Sequence, residues 1–207
     1  MSGRWLTWLV SRGERRRRRK LREWEAAGRP ETPPSSVKHA IILEYARRFG
    51  LATFVETGTY RGGTVEAVQG AFRRIYTIEL DPQLAARARQ RFAGHAHVTV
   101  LQGDSGKVLP SVLARLTEPA LFWLDAHYSG PGTARASRDT PIVDEISAIL
   151  AHPVPGHVAL IDDARGFGAL PDYPTLAALE DFVRERAAGL VYEVSDDVIR
   201  IHPRKAG

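Results

Sequence analysis

Five short apolar runs recur along the chain, each followed by a polar or glycine-rich break and then by a stretch of helical length. This alternation constrains the fold more than any other feature. The runs are residues 52–56 (ATFVE), 74–79 (RIYTIE), 97–102 (HVTVLQ), 120–125 (ALFWLD) and 158–163 (VALIDD). They are rich in β-branched and aromatic residues and mostly apolar throughout rather than alternating, the pattern of strands covered on both faces. Between them, residues 64–72, 82–92, 106–116 and 141–150 have helical length and composition. Before the first run, residues 37–50 carry an apolar stripe through Ile41, Ile42 and Tyr45 and stop at Gly50, a fitting C-terminal cap. The expected product is a parallel sheet wound with helices. A further helix is expected over 175–188, and the end changes character: LVYEV and VIRIHP flank a Ser195-Asp196-Asp197 turn. Strands joined so tightly must be antiparallel.

At 207 residues, with 43% hydrophobic and 26% charged, the chain fits one globular core. Cysteine is absent, which excludes disulfides, a thiolate nucleophile, cysteine-ligated zinc and iron–sulfur clusters; any metal would need oxygen or imidazole ligands. No apolar run reaches the roughly 18 residues that cross a bilayer, and no secretory signal pattern opens the chain, so a cytoplasmic location is the default expectation. The formal charge of +5 is unevenly placed: residues 1–35 hold ten Lys or Arg against four Asp or Glu, the remainder nineteen against twenty. Basicity belongs to the start of the chain, and nucleic acid is not an expected partner of the rest. Residues 1–36 therefore read as a Trp-bearing basic tail and Pro-rich linker, and 37–207 as the folded domain. A block of like charge such as 15–20 ordinarily forms a solvated arm; preceded by Trp5, Leu6, Trp8, Leu9 and Val10, it also suits an amphipathic helix lying peripherally on an anionic membrane surface, with nucleic-acid contact a third reading.

In open α/β sheets ligands bind outside the carboxyl ends of the strands, so the polar residues there are the ones to question. The first strand runs into Glu56-Thr57-Gly58-Thr59-Tyr60-Arg61-Gly62-Gly63. Glycines let the backbone approach a ligand and turn into a helix whose N–H groups favour an anion, although a tight strand–helix connection would look the same. The spacing is Glu-x-Gly-x-x-x-Gly rather than the dinucleotide fingerprint. Glu79, 21 residues beyond Gly58, ends the second strand, where an acid can accept both hydroxyls of a ribose. Asp81 reads more simply as a helix cap ahead of Pro82. After the third strand, Asp104 or Ser105 could meet an adenine edge or cap the next helix.

VETGTYRGGT, TIELDP, QGDS, FWLDAHYSG and LIDDARGF, in that order, resemble the class I S-adenosylmethionine-dependent methyltransferases. More narrowly they resemble the metal-dependent O-methyltransferases of the catechol, caffeoyl-CoA and macrocin type, over about residues 38–202. The resemblance implies a Rossmann-like three-layer sandwich with a seven-stranded, mostly parallel sheet and an antiparallel last strand. It implies that Glu56, Gly58, Tyr60 and Gly62 surround the methionine part of S-adenosylmethionine, that Glu79 holds the ribose and that Asp104 or Ser105 lies beside the adenine, with Asp125 also at the cofactor.

Asp125 ends one apolar strand and Asp162 with Asp163 the next. If these strands are neighbours, three carboxylates converge and need a cation or a proton. Hard Mg²⁺ or Mn²⁺ suits such oxygens, and the resemblance carries the metal ligands onto Asp125, Asp162 and Asp163; the alternative is that Asp162 and Asp163 cap a loop. A divalent ion would assist methyl transfer by lowering the pKa of an acceptor hydroxyl. His127, two residues past Asp125, is the candidate general base, with loop packing the competing role and Tyr128 next; the catechol enzymes carry a lysine in this loop and this chain has none. Residues 129–140 read as a lid, with Arg135, Arg138 and Arg165 available for an anionic or sugar acceptor. Trp123 reads as core, and His39, His95, His97, His152, His157 and His202 show no metal spacing. The expected function is metal-assisted O-methylation of a small hydroxylated molecule. A different reaction on the same scaffold, as in the cephalosporin hydroxylase-like group, and a non-catalytic cofactor-binding protein recruited by its tail are the alternatives. A homodimer is common in the resembling families and has no independent signal here.

Overall fold

The computed structural model describes residues 12–30, 32–126, 140–170 and 172–204. Two helices, α1 (Arg12–Ala26) and α2 (Ser35–Phe49), precede β1 (Thr53–Thr57), α3 (Gly63–Val68), β2 (Arg74–Glu79), α4 (Pro82–Arg91) and β3 (Val98–Gln102). Then come α5 (Ser105–Leu113), β4 (Ala120–Leu124), α6 (Ile142–Leu150), β5 (Val158–Ile161), α7 (Leu176–Arg186), β6 (Leu190–Ser195) and β7 (Val198–Pro203). The strands form one seven-stranded sheet in the order β3-β2-β1-β4-β5-β7-β6. All neighbours are parallel except at β7, which runs against both β5 and β6. The β6–β7 connection turns on Asp196 and Asp197, both left-handed, the backbone twist that matches a tight hairpin.

Every residue of β1, β4 and β5 is buried, as continuous apolar runs require, and alternation sorts them onto two faces. Val55, Ile78, Phe122, Leu124 and Ile161 pack under α5, α6 and α7. Phe54, Ile75, Leu121, Trp123 and Leu160 pack on the other face with residues of α2, α3 and α4. The same alternation decides where polar strand ends point, so Glu56 and Asp162 fall on the face of α2 and Thr57 on the face of α5 and α6. Trp123 is in the core, as its place in an apolar strand suggests.

The basic segment departs from a tail and linker over the residues described. Trp24 of α1 is buried against α2 with Leu21 beside it, its indole N–H donates to the Pro30 carbonyl at 3.1 Å, and the Arg29 guanidinium lies 5.3 Å from its ring centre. Leu21 and Trp24, three apart, make an apolar edge on an otherwise charged helix, and burial of the indole fixes that edge. Residues 1–11, with the Trp5–Trp8 cluster, lie outside the described residues. Among the described residues no helix is long and apolar enough to cross a membrane.

Candidate functional site

The strand order runs β1, β2, β3 one way and β4, β5 the other, so the crevice between the carboxyl ends of β1 and β4 is the switch point of the sheet. Gly58 stands there at φ +85°, and a Cβ on it would meet the Asp125 carbonyl oxygen at 2.4 Å. Only glycine allows these two strand ends to lie so close. Gly58 and Thr59 hold the turn by donating to the Ile78 carbonyl at 2.9 and 3.2 Å. Tyr60 is left-handed and its side chain exposed; Gly62, at φ +73°, leaves room for the Phe92 ring and delivers the chain into α3.

Two acids face this bend. Glu56 is 1% exposed; Thr77, its register partner on β2, donates to it at 2.5 Å and in turn lies 2.5 Å from the Thr59 hydroxyl. Burial pushes the Glu56 carboxyl up to about 8, with the Asp125 and Glu79 carboxylates adding to the rise and the Thr77 and Thr64 hydroxyls opposing it. Glu79 accepts from the Tyr60 N–H at 2.6 Å and the Asp81 N–H at 2.9 Å, which fixes its carboxylate beside the bend. Each oxygen keeps a lone pair for a further donor. Asp81 caps α4, accepting from Gln83 at 2.7 Å and Leu84 at 2.9 Å, as its place before Pro82 suggests. Asp104 caps α5 through Gly106 at 3.1 Å and pairs with Lys107. Ser105 is buried in the first turn of α5, with its hydroxyl acting on Glu145.

Glu145 escapes the sequence reading. It lies on α6, 1% exposed, beside Ser105 and Thr57 and along a small hollow of about 10 Å³ that Asp125, Asp162 and Tyr173 also line. Burial raises its carboxyl to about 7, against the pull of the two hydroxyls. Its Oε1 has no hydrogen-bond partner among the described residues. The signal was present: Ile142, Glu145, Ile146 and Ile149 follow the i, i+3, i+4, i+7 spacing of a buried stripe.

At the ends of β4 and β5 the expected metal set is rearranged. Lys38, from the first turn of α2, places its ammonium 2.6 Å from the Asp162 carboxylate and 3.1 Å from Asp163 Oδ1. In a strand these two side chains would point to opposite faces; the left-handed backbone at Asp163 ends β5 and lets both reach one cation. Arg165 sits 3.0 Å from Asp163 and pairs with Asp197 through the same guanidinium nitrogen. Among the described residues, the acids whose ligand atoms lie within 4.8 Å of one another are Asp162, Asp163 and Asp197; Asp125 is not one of them. The Asp125, Asp162, Asp163 set expected for Mg²⁺ or Mn²⁺ is thus not the set drawn together, and the pair from β5 is bridged by an ammonium. With Lys38 on both carboxylates, a divalent ion could reach Asp162 and Asp163 only by displacing the ammonium. Burial of Lys38 works against its charge, but Asp162 and Asp163 outweigh that and raise its pKa; Asp162 is itself raised by burial and the nearby Asp125 carboxylate, against the pull of Lys38. His127, Tyr128, Arg135, Arg138 and the expected lid lie outside the described residues, apart from Thr140, whose hydroxyl accepts from the Ile142 N–H at 3.3 Å.

No family model matches the chain. A ribosomal RNA small subunit methyltransferase A from Acidobacterium capsulatum is 40% identical over 80 residues, 39% of this chain. A protein-L-isoaspartate O-methyltransferase from Ignicoccus hospitalis is 36% identical over 87 residues, 41% of this chain. The chain spans only 28% and 41% of the length of these two curated relatives. Among solved structures, the O-methyltransferase TomG from Streptomyces achromogenes, in complex with SAM, matches with a TM-score of 0.62 at 19% identity, over 97% of this chain and 93% of that one. An O-methyltransferase from Bacillus cereus in complex with SAH matches at 0.59 and 16% identity, over 94% and 93%. Likeness at such low identity shows the fold.

Proposed function

We propose that this chain, which has the fold of the class I S-adenosylmethionine-dependent methyltransferases, methylates a hydroxyl of a small acceptor with S-adenosylmethionine as donor. The observation that carries the reading is Gly58: a left-handed glycine with no room for a Cβ, at the switch point, flanked by the acids Glu56 and Glu79. Structural neighbours that are O-methyltransferases holding SAM or SAH support the choice of donor and of oxygen as the acceptor atom.

The methionine portion of the donor is assigned to the bend from Gly58 to Gly62, with Glu56 meeting its amino group. Glu79, oriented by the Tyr60 and Asp81 N–H groups, accepts from the ribose hydroxyls. The bound donor supplies an electrophilic sulfonium methyl. The chain must then align an acceptor oxygen behind that methyl and take its proton. His127 is our candidate for the proton, since it follows the β4 end by three residues and carries an imidazole, the side chain suited to proton transfer near neutral pH. No step is assigned to a metal.

The test is a mass-spectrometric assay of the full chain with S-adenosylmethionine and a panel of sugars, catechols and other hydroxylated small molecules. S-adenosylhomocysteine and a methylated acceptor are expected in equal amounts, and His127→Ala should slow their formation by roughly 100-fold or more. A hydroxylated product without S-adenosylhomocysteine would instead assign a different reaction to the scaffold.

A further inference from the structure

We propose that the Lys38 ammonium is the resident cation of the acid group at the end of β5 and stands where a divalent metal would otherwise bind, so that this site works without metal. The proposal goes beyond methyl transfer and does not depend on it.

Three observations lead there. Lys38 contacts both carboxylates, at 2.6 and 3.1 Å, and its side chain is only 17% exposed. A Mg²⁺ ion bonds oxygen at roughly 2.0–2.1 Å, so it and the ammonium cannot occupy the space between the same two carboxylates. Two cations already lie on the group: Lys38 on Asp162 and Asp163, and Arg165 on Asp163 and Asp197. A third, divalent positive charge would enter against both. Finally, Lys38 is built into the site rather than reaching for it. It shares the stripe Lys38, Ile41, Ile42, Tyr45, in which the three apolar members are buried, and Asp162, the residue directly after β5, continues the strand face that Val158 and Leu160 turn toward this helix. A solvated surface lysine would not occupy that position.

The experiment reads binding of Mn²⁺ to the full chain from the electron paramagnetic resonance signal of the free ion, with neither donor nor acceptor present, so its result is independent of whether methyl transfer is seen. Wild-type protein is expected to leave the signal undiminished. Lys38→Met, which keeps the length and removes the charge, should gain one Mn²⁺ site, tighter by roughly 100-fold or more than anything in the wild type, because the buried Asp162 loses its cation and Asp163 keeps only Arg165. Adding Asp162→Asn should abolish the gain. Stoichiometric Mn²⁺ binding by the wild type overturns the proposal, as does a folded Lys38→Met that binds none. Should Lys38→Met be unfolded by circular dichroism, Mn²⁺ is expected to refold it, and failure to do so counts equally against the proposal.

Discussion

Gly58→Ala is expected to abolish binding of S-adenosylmethionine and S-adenosylhomocysteine and to lower the melting temperature by roughly 5–15 °C. A Cβ at this position would stand 2.4 Å from the Asp125 carbonyl oxygen and 2.8 Å from its carbon, both backbone atoms of a central strand end that cannot swing away. The φ of +85° adds strain for any L side chain. Left-handed strain of about 1–2 kcal/mol and overpacking of about 1–3 kcal/mol together give about 2–5 kcal/mol, and each kcal/mol moves Tm by roughly 2–4 °C in a chain of this size. Relief would come from parting β1 from β4, which opens the crevice that the donor needs. Gly63→Ala is the control: nothing lies within 4 Å of its Cβ and it begins α3, so it should leave binding intact and stability unchanged or slightly improved. Calorimetry and thermal melts of the two variants side by side separate a specific crowding effect from a general loss of glycine.

The second large effect concerns Glu56. Its carboxyl titrates near 8 in the folded protein against 4.5 for an ordinary glutamate, chiefly because it is buried. Between those values the folded state holds a proton that the unfolded chain has given up. The stability this confers is full below about pH 4.5 and is lost as the pH rises through about 8. Glu56→Gln, isosteric and neutral at every pH, should therefore melt higher than the wild type at pH 8 and show a flatter pH dependence over that window. The same variant should bind the donor roughly 10- to 100-fold more weakly, because a charge-assisted bond to the donor's amino group is lost. A signature accompanies this. When the cationic amino group arrives, Glu56 ionises, so wild-type binding at pH 6.5 should release a proton, seen as a dependence of the calorimetric heat on buffer ionisation enthalpy. The glutamine variant should show none. Equal affinity and equal proton release in both proteins would remove Glu56 from the site.

Gly58 and Glu56 both lie in a segment open to a reader of the sequence, Glu-x-Gly after an apolar strand, and what was legible elsewhere has physical causes. The strands were legible because those covered on both faces are apolar from end to end, and the reversed last strand because Asp196 and Asp197 leave room only for a hairpin. Asp81 was legible as a cap because Pro82 follows it. Lys38 was not, since its partners lie 124 and 125 residues away and a charge in a helix's first turn ordinarily faces water. Glu145 was hidden for the same reason, as Asp144 and Glu145 read together as acids favoured by the helix dipole. Yet each occupies an apolar stripe, Lys38 with Ile41, Ile42 and Tyr45 and Glu145 with Ile142, Ile146 and Ile149. A charged residue on such a stripe is the signal that would have found both. The acid group also shifted from Asp125 to Asp197, because strand order says which ends adjoin but not how the turn after β5 aims its side chains. Trp24, set among charges, gave little sign that α1 docks on α2.

The Gly58 bend, with Glu56 and Glu79 at the adjoining strand ends, is the proposed seat of S-adenosylmethionine. Isothermal titration of the full chain with S-adenosylmethionine tests it most directly. One molecule should bind per chain, and Glu79→Ala, which removes the acceptor for the ribose hydroxyls, should weaken or abolish that binding. A well-folded wild-type chain that gives no binding heat and no thermal stabilisation at millimolar donor, or a Glu79→Ala variant that binds as tightly as the wild type, would contradict it.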